Sequence, residues 1–548
     1  MPAAAEGRVS WWGRAAVVAG VALASSVTGL GNGFAYDDVQ AVQRNERLHT
    51  LDAPGRFLTD TYWPPGKFQG GSTLYRPLTS FAFALQWAAA NGRPFVFHLA
   101  NVLLYVMVAV VMFWLATRVL APLPALLAAA LYAAHPVHVE AVGNVVGQSE
   151  LWVNLFLLLA VGIFVRGRNA AGLAQRDRLV ICLCYALACL AKDNGLMLPG
   201  LLLAAELTVV EDPRPLKVRI AGLVPFWTLL AATGALYLLL RTTVTGTLAG
   251  DYPHILIGTA TDGERLLTML RVALEWPRLL LWPAHLQADY SPQDFQRVSS
   301  FGLAQGLGLA MFLAAGWLAW WSRRRAPLVT FGMLWLAVAI FPVSNLVLKA
   351  GIVLAERTLF LASAGAMLVV GAATGALLAW RPAWRTALVA AAAVLVLLGT
   401  GRSASRQPVW RDTGTLFAQS IQDAPRNYRV HWTYALYLYE NGHRESAFKE
   451  LATAIELFPA DPSLYADAGD LYRTDGQCDR SIPLYGRALA LTPDLQFTRS
   501  RLASCYMRLG RYAEARRELS RLVAEGAPEF GRFIPAVDSA AAANGSFR

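Results

Sequence analysis

Charge is what this chain has least of for its size. Asp, Glu, Lys and Arg together make up 16% of 548 residues, while 55% are hydrophobic. With a mean hydropathy of +0.40, that scarcity excludes a purely soluble globular protein, whose surface needs far more polar cover. Cysteine is scarce too. Of five, Cys182, Cys184 and Cys189 share one apolar run and read as small packing residues. Only Cys478 and Cys505 lie in a polar region, where a bridge between them is allowed but not implied. Net charge is +11, yet the basic residues sit in short clusters between apolar runs. There they orient helices in a bilayer rather than meet nucleic acid.

Long apolar runs, by contrast, are abundant. Eleven can cross a bilayer at helical rise: 15–30, 95–117, 122–139, 149–166, 178–192, 194–210, 219–240, 301–321, 328–348, 357–380 and 384–400. The first, preceded by Arg8 and Arg14, imitates a signal peptide cleaved near Gly33-Phe34-Ala35; the many later spans favour an uncleaved one. A cytoplasmic N-terminus puts Arg118, the Arg166 to Arg178 cluster, Arg214, Lys217 and Arg219, the Arg323 to Arg325 triplet, and Arg381 and Arg385 on one side, as the positive-inside rule requires. Segment 264–283 is apolar but carries Glu264, Arg265, Arg271, Glu275 and Arg278, so it reads as an amphipathic helix lying on the outer face and not as a span. This topology turns 31–94, 140–148, 192–194, 241–300 and 349–356 outward.

The membrane part is expected over 1–400, with 401–426 a linker and leading helix. From 427 the sequence repeats itself: Gly442, Gly476 and Gly510 stand 34 residues apart, the tetratricopeptide period. Ala447, Ser481 and Ala515 follow in phase, as do Ala454 and Ala488, then Pro459 and Pro493. Small residues where helices cross and glycine at the turn are what stacked helix hairpins need. Three repeats fill 427–530, leaving a tail at 531–548. The expected fold class is therefore an all-α polytopic membrane protein with a C-terminal α-solenoid whose concave face suits an extended peptide or partner protein.

The outward loops hold the unusual residues. GFAYDD places Asp37 and Asp38 just after the first span. Arg76, His98, Glu140, Glu150, Lys192, Asp193, Asp289, Lys349, Glu356 and Arg357 stand at other outward boundaries. Ionisable groups at membrane depth or at helix exits are costly and point to function. A carboxylate there can deprotonate a hydroxyl, and Arg or Lys can hold phosphate and stabilise charge on a leaving group. Together they suit transfer from a lipid-linked phosphate donor to an acceptor outside. A structural alternative competes: Lys192 with Asp193, or Glu356 with Arg357, neutralising helix ends. The sequence HPVH with Glu140 has metal-ligand residue types but no zinc spacing, and its proline ends or turns the helix. A divalent ion shared by Asp37 or Asp38 and a phosphate stays open.

The acidic pair, YRPL, GRPFVFHLANVLLY, HPVHVEAVGNVVGQSELW, KDNG, LLLWPAHLQADYS, ERTLFLAS and WRDTGTLF, in that order before the repeats, resemble the transmembrane and tetratricopeptide repeat-containing O-mannosyltransferases and their bacterial relatives. The resemblance covers nearly the whole chain. It implies a GT-C glycosyltransferase bundle of about 11 helices in the plasma (inner) membrane, a polyprenyl-phosphate sugar donor, and a catalytic carboxylate in the first outward loop. Carried over, that carboxylate falls on Asp37 or Asp38, and donor phosphate contacts fall on Arg76, Lys192 and Arg357. His98, Glu140, Asp193, Asp289 and Glu356 support them. Asp193 departs from the Glu often found after the family's lysine. The repeats would hold the acceptor protein on the outer (periplasmic) face. A membrane-anchored tetratricopeptide scaffold, or a lipid-linked sugar ligase or flippase, remain the rival readings.

Overall fold

The computed structural model describes residues 10–64, 73–169, 172–248, 260–290, 295–350 and 352–543. Among these residues every regular element is helical. The chain divides into two compact units, Met1–Leu416 and Phe417–Arg548.

In the first unit each of the eleven apolar runs becomes a helix, and among the described residues seven helices are long and apolar enough to cross a membrane. The other four are short for physical reasons. Pro122–Ala134 runs on into Pro136–Gly143 through a 48° bend, because Pro136 has no N–H to continue the ladder. Gln175–Ala191 begins on Arg176, Asp177 and Arg178, which leaves its apolar part short. Leu198–Thr208 has 11 residues, about 17 Å of helix against ~30 Å of hydrocarbon. Pro327–Val343 falls just below span length. Segment 264–283 forms two short helices, Asp262–Val272 and Glu275–Leu281, with Glu275 paired to both Arg271 and Arg278; neither can cross a bilayer.

The helices pack closely where small residues let backbones meet. A Cβ on Gly365 would stand 2.7 Å from the Gly332 carbonyl oxygen, and one on Gly399 would stand 2.9 Å from that of Ala134. The loop after the first span packs Val42, Phe57, Tyr62 and Trp63 against Phe83 and Phe97, a small apolar core of its own.

The second unit contains three helix pairs: Tyr428–Glu440 with Arg444–Leu457, Pro462–Thr474 with Cys478–Leu491, and Gln496–Arg508 with Tyr512–Ala524. Gly442, Gly476 and Gly510 turn each pair at φ of 84°, 77° and 73°, a region that glycine enters without steric cost. Ala447, Ser481 and Ala515 are fully buried at the crossings. Within the 531–548 tail, Ile534–Ala543 is helical, and Val537 packs with Leu519 and Leu522 of the third pair. Cys478 and Cys505 are buried free thiols.

Candidate functional site

The two aspartates of GFAYDD are neighbours in sequence and opposites in environment. Asp38 has no exposed surface. Its Oδ2 accepts the N–H groups of Ala35 (3.3 Å) and Val145 (3.2 Å), and its Oδ1 accepts that of Val146 (2.9 Å). Burial, opposed by these hydrogen bonds, pushes the Asp38 carboxyl up to about 7. Asp37 is half-buried and lies within electrostatic reach of Arg357 and Tyr62. Tyr36 enters the pair at φ 52°, a left-handed conformation that a bulky residue adopts only when its surroundings impose it.

Those surroundings come from both ends of the unit. His98 Nε2 bonds the Gly33 carbonyl at 2.9 Å. The Gly33 N–H donates to the Arg411 carbonyl (2.7 Å), the Asn32 side chain to the Gln407 carbonyl (2.9 Å), and the Tyr36 N–H to Thr413 Oγ1 (2.9 Å). Trp410 packs beneath Ala35 and Val139. WRDTGTLF is thus a wall of the acidic turn as well as a lead into the repeats. His98 is a support for that turn.

Several of the charged residues picked out in the sequence come together, through partners that adjacency did not suggest, while Lys349 is exposed. Lys192 pairs with Glu150 and not with Asp193. Arg357 pairs with Glu140 and not with Glu356, its backbone N–H adding a 2.8 Å bond to the same carboxylate. Asp193 instead accepts from Tyr237 (2.5 Å) and Arg241 (3.1 Å). Glu356 accepts from the Gln287 N–H (2.5 Å) and the Tyr290 hydroxyl (3.0 Å), and Asp289 lies half-buried in that same loop. Arg76 lays its guanidinium over the Tyr62 ring, 4.7 Å from the centroid, and its Nε is buried without a hydrogen-bond partner. Lys192 lies within electrostatic reach of both Arg76 and Arg357. Of these three cations, two are held by buried acids, and Arg76 has no acid on it among the described residues.

Tyr62, Tyr237, Arg241, Asn101 and Gln148 were not legible as site residues. Asn101 donates to the Val142 (3.2 Å) and Asn144 (2.9 Å) carbonyls and accepts from Gln148 (2.8 Å), which fixes the segment that carries Glu140 and Glu150.

The histidines of HPVH serve packing. His138 bonds Tyr105 (2.9 Å) and Ser363 (2.8 Å), and His135 bonds the Leu280 carbonyl (3.0 Å). Among the described residues no group of three His, Cys, Asp or Glu side chains is arranged to hold a metal ion. An apolar groove of about 330 Å³, lined by Leu131, Leu280, Met367, Leu395, Leu398 and Arg402 among others, lies in the same unit.

A half-exposed carboxylate beside clustered cations can take a proton while neighbouring groups hold an anion. Residues 472–531 match the tetratricopeptide repeat family. The chain is 25% identical to protein O-mannosyl-transferase TMTC1 of Homo sapiens, over 84% of this chain and 57% of that protein. It is 26% identical to TMTC4 of Homo sapiens (79% and 65%) and 25% identical to TMTC3 of Mus musculus (84% and 53%), both also named protein O-mannosyl-transferases. The similarity to transmembrane and tetratricopeptide repeat-containing O-mannosyltransferases thus extends over about four fifths of the chain. The chain spans between half and two thirds of the length of these relatives.

Proposed function

We propose that this protein is a membrane glycosyltransferase that moves a mannose-like hexose from a polyprenyl-phosphate donor to Ser or Thr hydroxyls of exported protein. The carrying observation is the half-exposed Asp37 within electrostatic reach of Arg357, a cation that Lys192 in turn feels together with Arg76. In the single inverting displacement this suggests, Asp37 takes the acceptor's hydroxyl proton and the oxygen attacks C1 of the sugar. The C1–O bond breaks, and polyprenyl phosphate leaves with the electron pair. Arg76, Lys192 and Arg357 would hold the phosphate, so alignment and charge stabilisation supply most of the rate. The apolar groove offers the chemistry a polyprenyl chain requires.

The names of the relatives support this reading, as does the sorting of Arg clusters, which favours a multi-pass protein of the plasma membrane with a cytoplasmic N-terminus and outward repeats. The tetratricopeptide unit would bind the acceptor protein and raise its local concentration. The test is transfer from polyprenyl-phosphate mannose to acceptor protein in membranes carrying wild type or Asp37→Asn, read by glycopeptide mass spectrometry. Loss of the mannosylated peptides with normal insertion is expected. Unchanged glycopeptides in the variant overturn the proposal.

A further inference from the structure

A base must touch the hydroxyl it deprotonates, and Asp38 has no surface to touch one with. Both of its oxygens are occupied by N–H groups, one from its own turn and two from residues 145 and 146. The bonds to Val145 and Val146 join segments 107 and 108 residues apart, and the receiving segment lies between Glu140 and Glu150, the acids that carry Arg357 and Lys192. We propose that Asp38 is a positioning residue: it ties the acidic turn to the 140–150 segment and thereby sets where Arg357 and Lys192 stand relative to Asp37.

Four further observations fit a segment whose placement is controlled. Asn101 holds two of its carbonyls, at Val142 and Asn144, and Gln148 in turn bonds both Asn101 and Gln86 (2.8 Å each). A Cβ on Gly147 would stand 2.3 Å from the Ala141 carbonyl oxygen, and one on Gly143 would stand 2.7 Å from Gln407 Oε1; the segment is folded tightly on itself and against the end of the last span. Burying a carboxylate on N–H groups, with no cation on it among the described residues, carries a desolvation cost. An amide at the same place keeps only one acceptor oxygen and turns its NH₂ towards a backbone donor.

The kinetic part of the test rests on the proposed transferase reading; the structural part does not. Hydrogen exchange of the full chain in lipid nanodiscs should show peptides covering 139–150 exchanging about tenfold faster or more in Asp38→Asn, with the rest of Gln148–Asn169 and the repeats unmoved. Asn101→Ala, which leaves both aspartates in place, should loosen the same peptides. With polyprenyl-phosphate mannose as probe, both variants should raise the donor KM about tenfold while kcat stays measurable and its pH profile keeps its position; Asp37→Asn should lose kcat. Exchange at 139–150 equal to wild type, or faster exchange spread evenly over all spans, overturns the proposal. So does a loss of kcat in Asp38→Asn with donor KM and exchange unchanged, which would make Asp38 the base. If even wild type transfers no sugar, the transferase reading falls and the exchange result still decides the role of Asp38.

Discussion

The helix Gln148–Asn169 carries a charged cluster at each end, and the two differ in one respect. Eighteen residues separate Glu150 from Arg168, roughly 27 Å of helix and so nearly a hydrocarbon thickness. At the Arg168 end the buried charges are matched to one another. Arg168 forks onto Glu206 (2.9 and 2.8 Å) and reaches Asp212 (2.9 Å), Arg219 adds a second cation to Glu206 (2.8 Å), and Arg214 closes on Asp212. At the Glu150 end the same residue types leave Asp37 half-exposed and Arg76 resting on an aromatic ring. Residue types alone do not mark a reactive site. Incomplete pairing does: a closed network has no valence left for a ligand.

Four measurements sharpen or break that contrast. The largest effect is expected from Asp37→Asn, which should cut sugar transfer by about 10²–10⁴-fold, the usual contribution of a general base, with the thermal unfolding midpoint unmoved. Next comes Arg168→Leu at the closed end. It leaves Glu206 and Asp212 short of a cation in a buried place and should cost about 3–5 kcal/mol of stability, read as lower denaturant resistance, while activity per folded molecule is retained. Arg76→Ala should invert that pattern, losing roughly 10–100-fold in transfer for at most about 1 kcal/mol of stability from the lost ring contact. If Arg76→Ala unfolds the protein or Arg168→Leu selectively abolishes transfer, the two ends have been misread.

The smallest effect is on pH dependence. The Asp38 carboxyl, raised from 3.8 to about 7, binds its proton more tightly in the folded state. Its contribution to stability is therefore fully present below the ordinary carboxylate range and is lost as pH rises through about 7. The unfolding midpoint of wild type should fall by a few degrees between pH 4.5 and pH 8 relative to Asp38→Asn. Parallel curves for the two proteins would refute the assignment.

Much of this architecture is legible in the sequence because it is local or periodic. A 34-residue period needs only the chain itself to be seen, and Gly442, Gly476 and Gly510 turn where it places them. Apolar runs announce helices, though not which are long enough to span: the bend at Pro136 and the three charges opening Gln175–Ala191 decide that. The adjacent ion pairs that the sequence allowed as a structural alternative do not form, for backbone reasons. Lys192 is extended, with φ −165° and ψ 149°, so its side chain and that of Asp193 point to opposite sides. Glu356 and Arg357 lie in a 3-10 turn, where successive side chains diverge by about 120°. Their true partners are 42 residues away for Lys192 and 217 for Arg357, and only the packed bundle brings them together. Tyr237 escaped notice inside a run whose apolar character dominates, and Arg241 stands one residue past its end.

The bonds from Asn32, Gly33 and Tyr36 to Gln407, Arg411 and Thr413 also have a biosynthetic meaning. A ribosome making this chain completes the acidic turn early, but the Thr413 hydroxyl that accepts the N–H of the strained Tyr36 is made only 377 residues later. The nascent turn is therefore tied first to His98 and to the 145–146 amides, and only at the end to the residues that follow the last span. The last span, on arrival, acts as the latch that arms it.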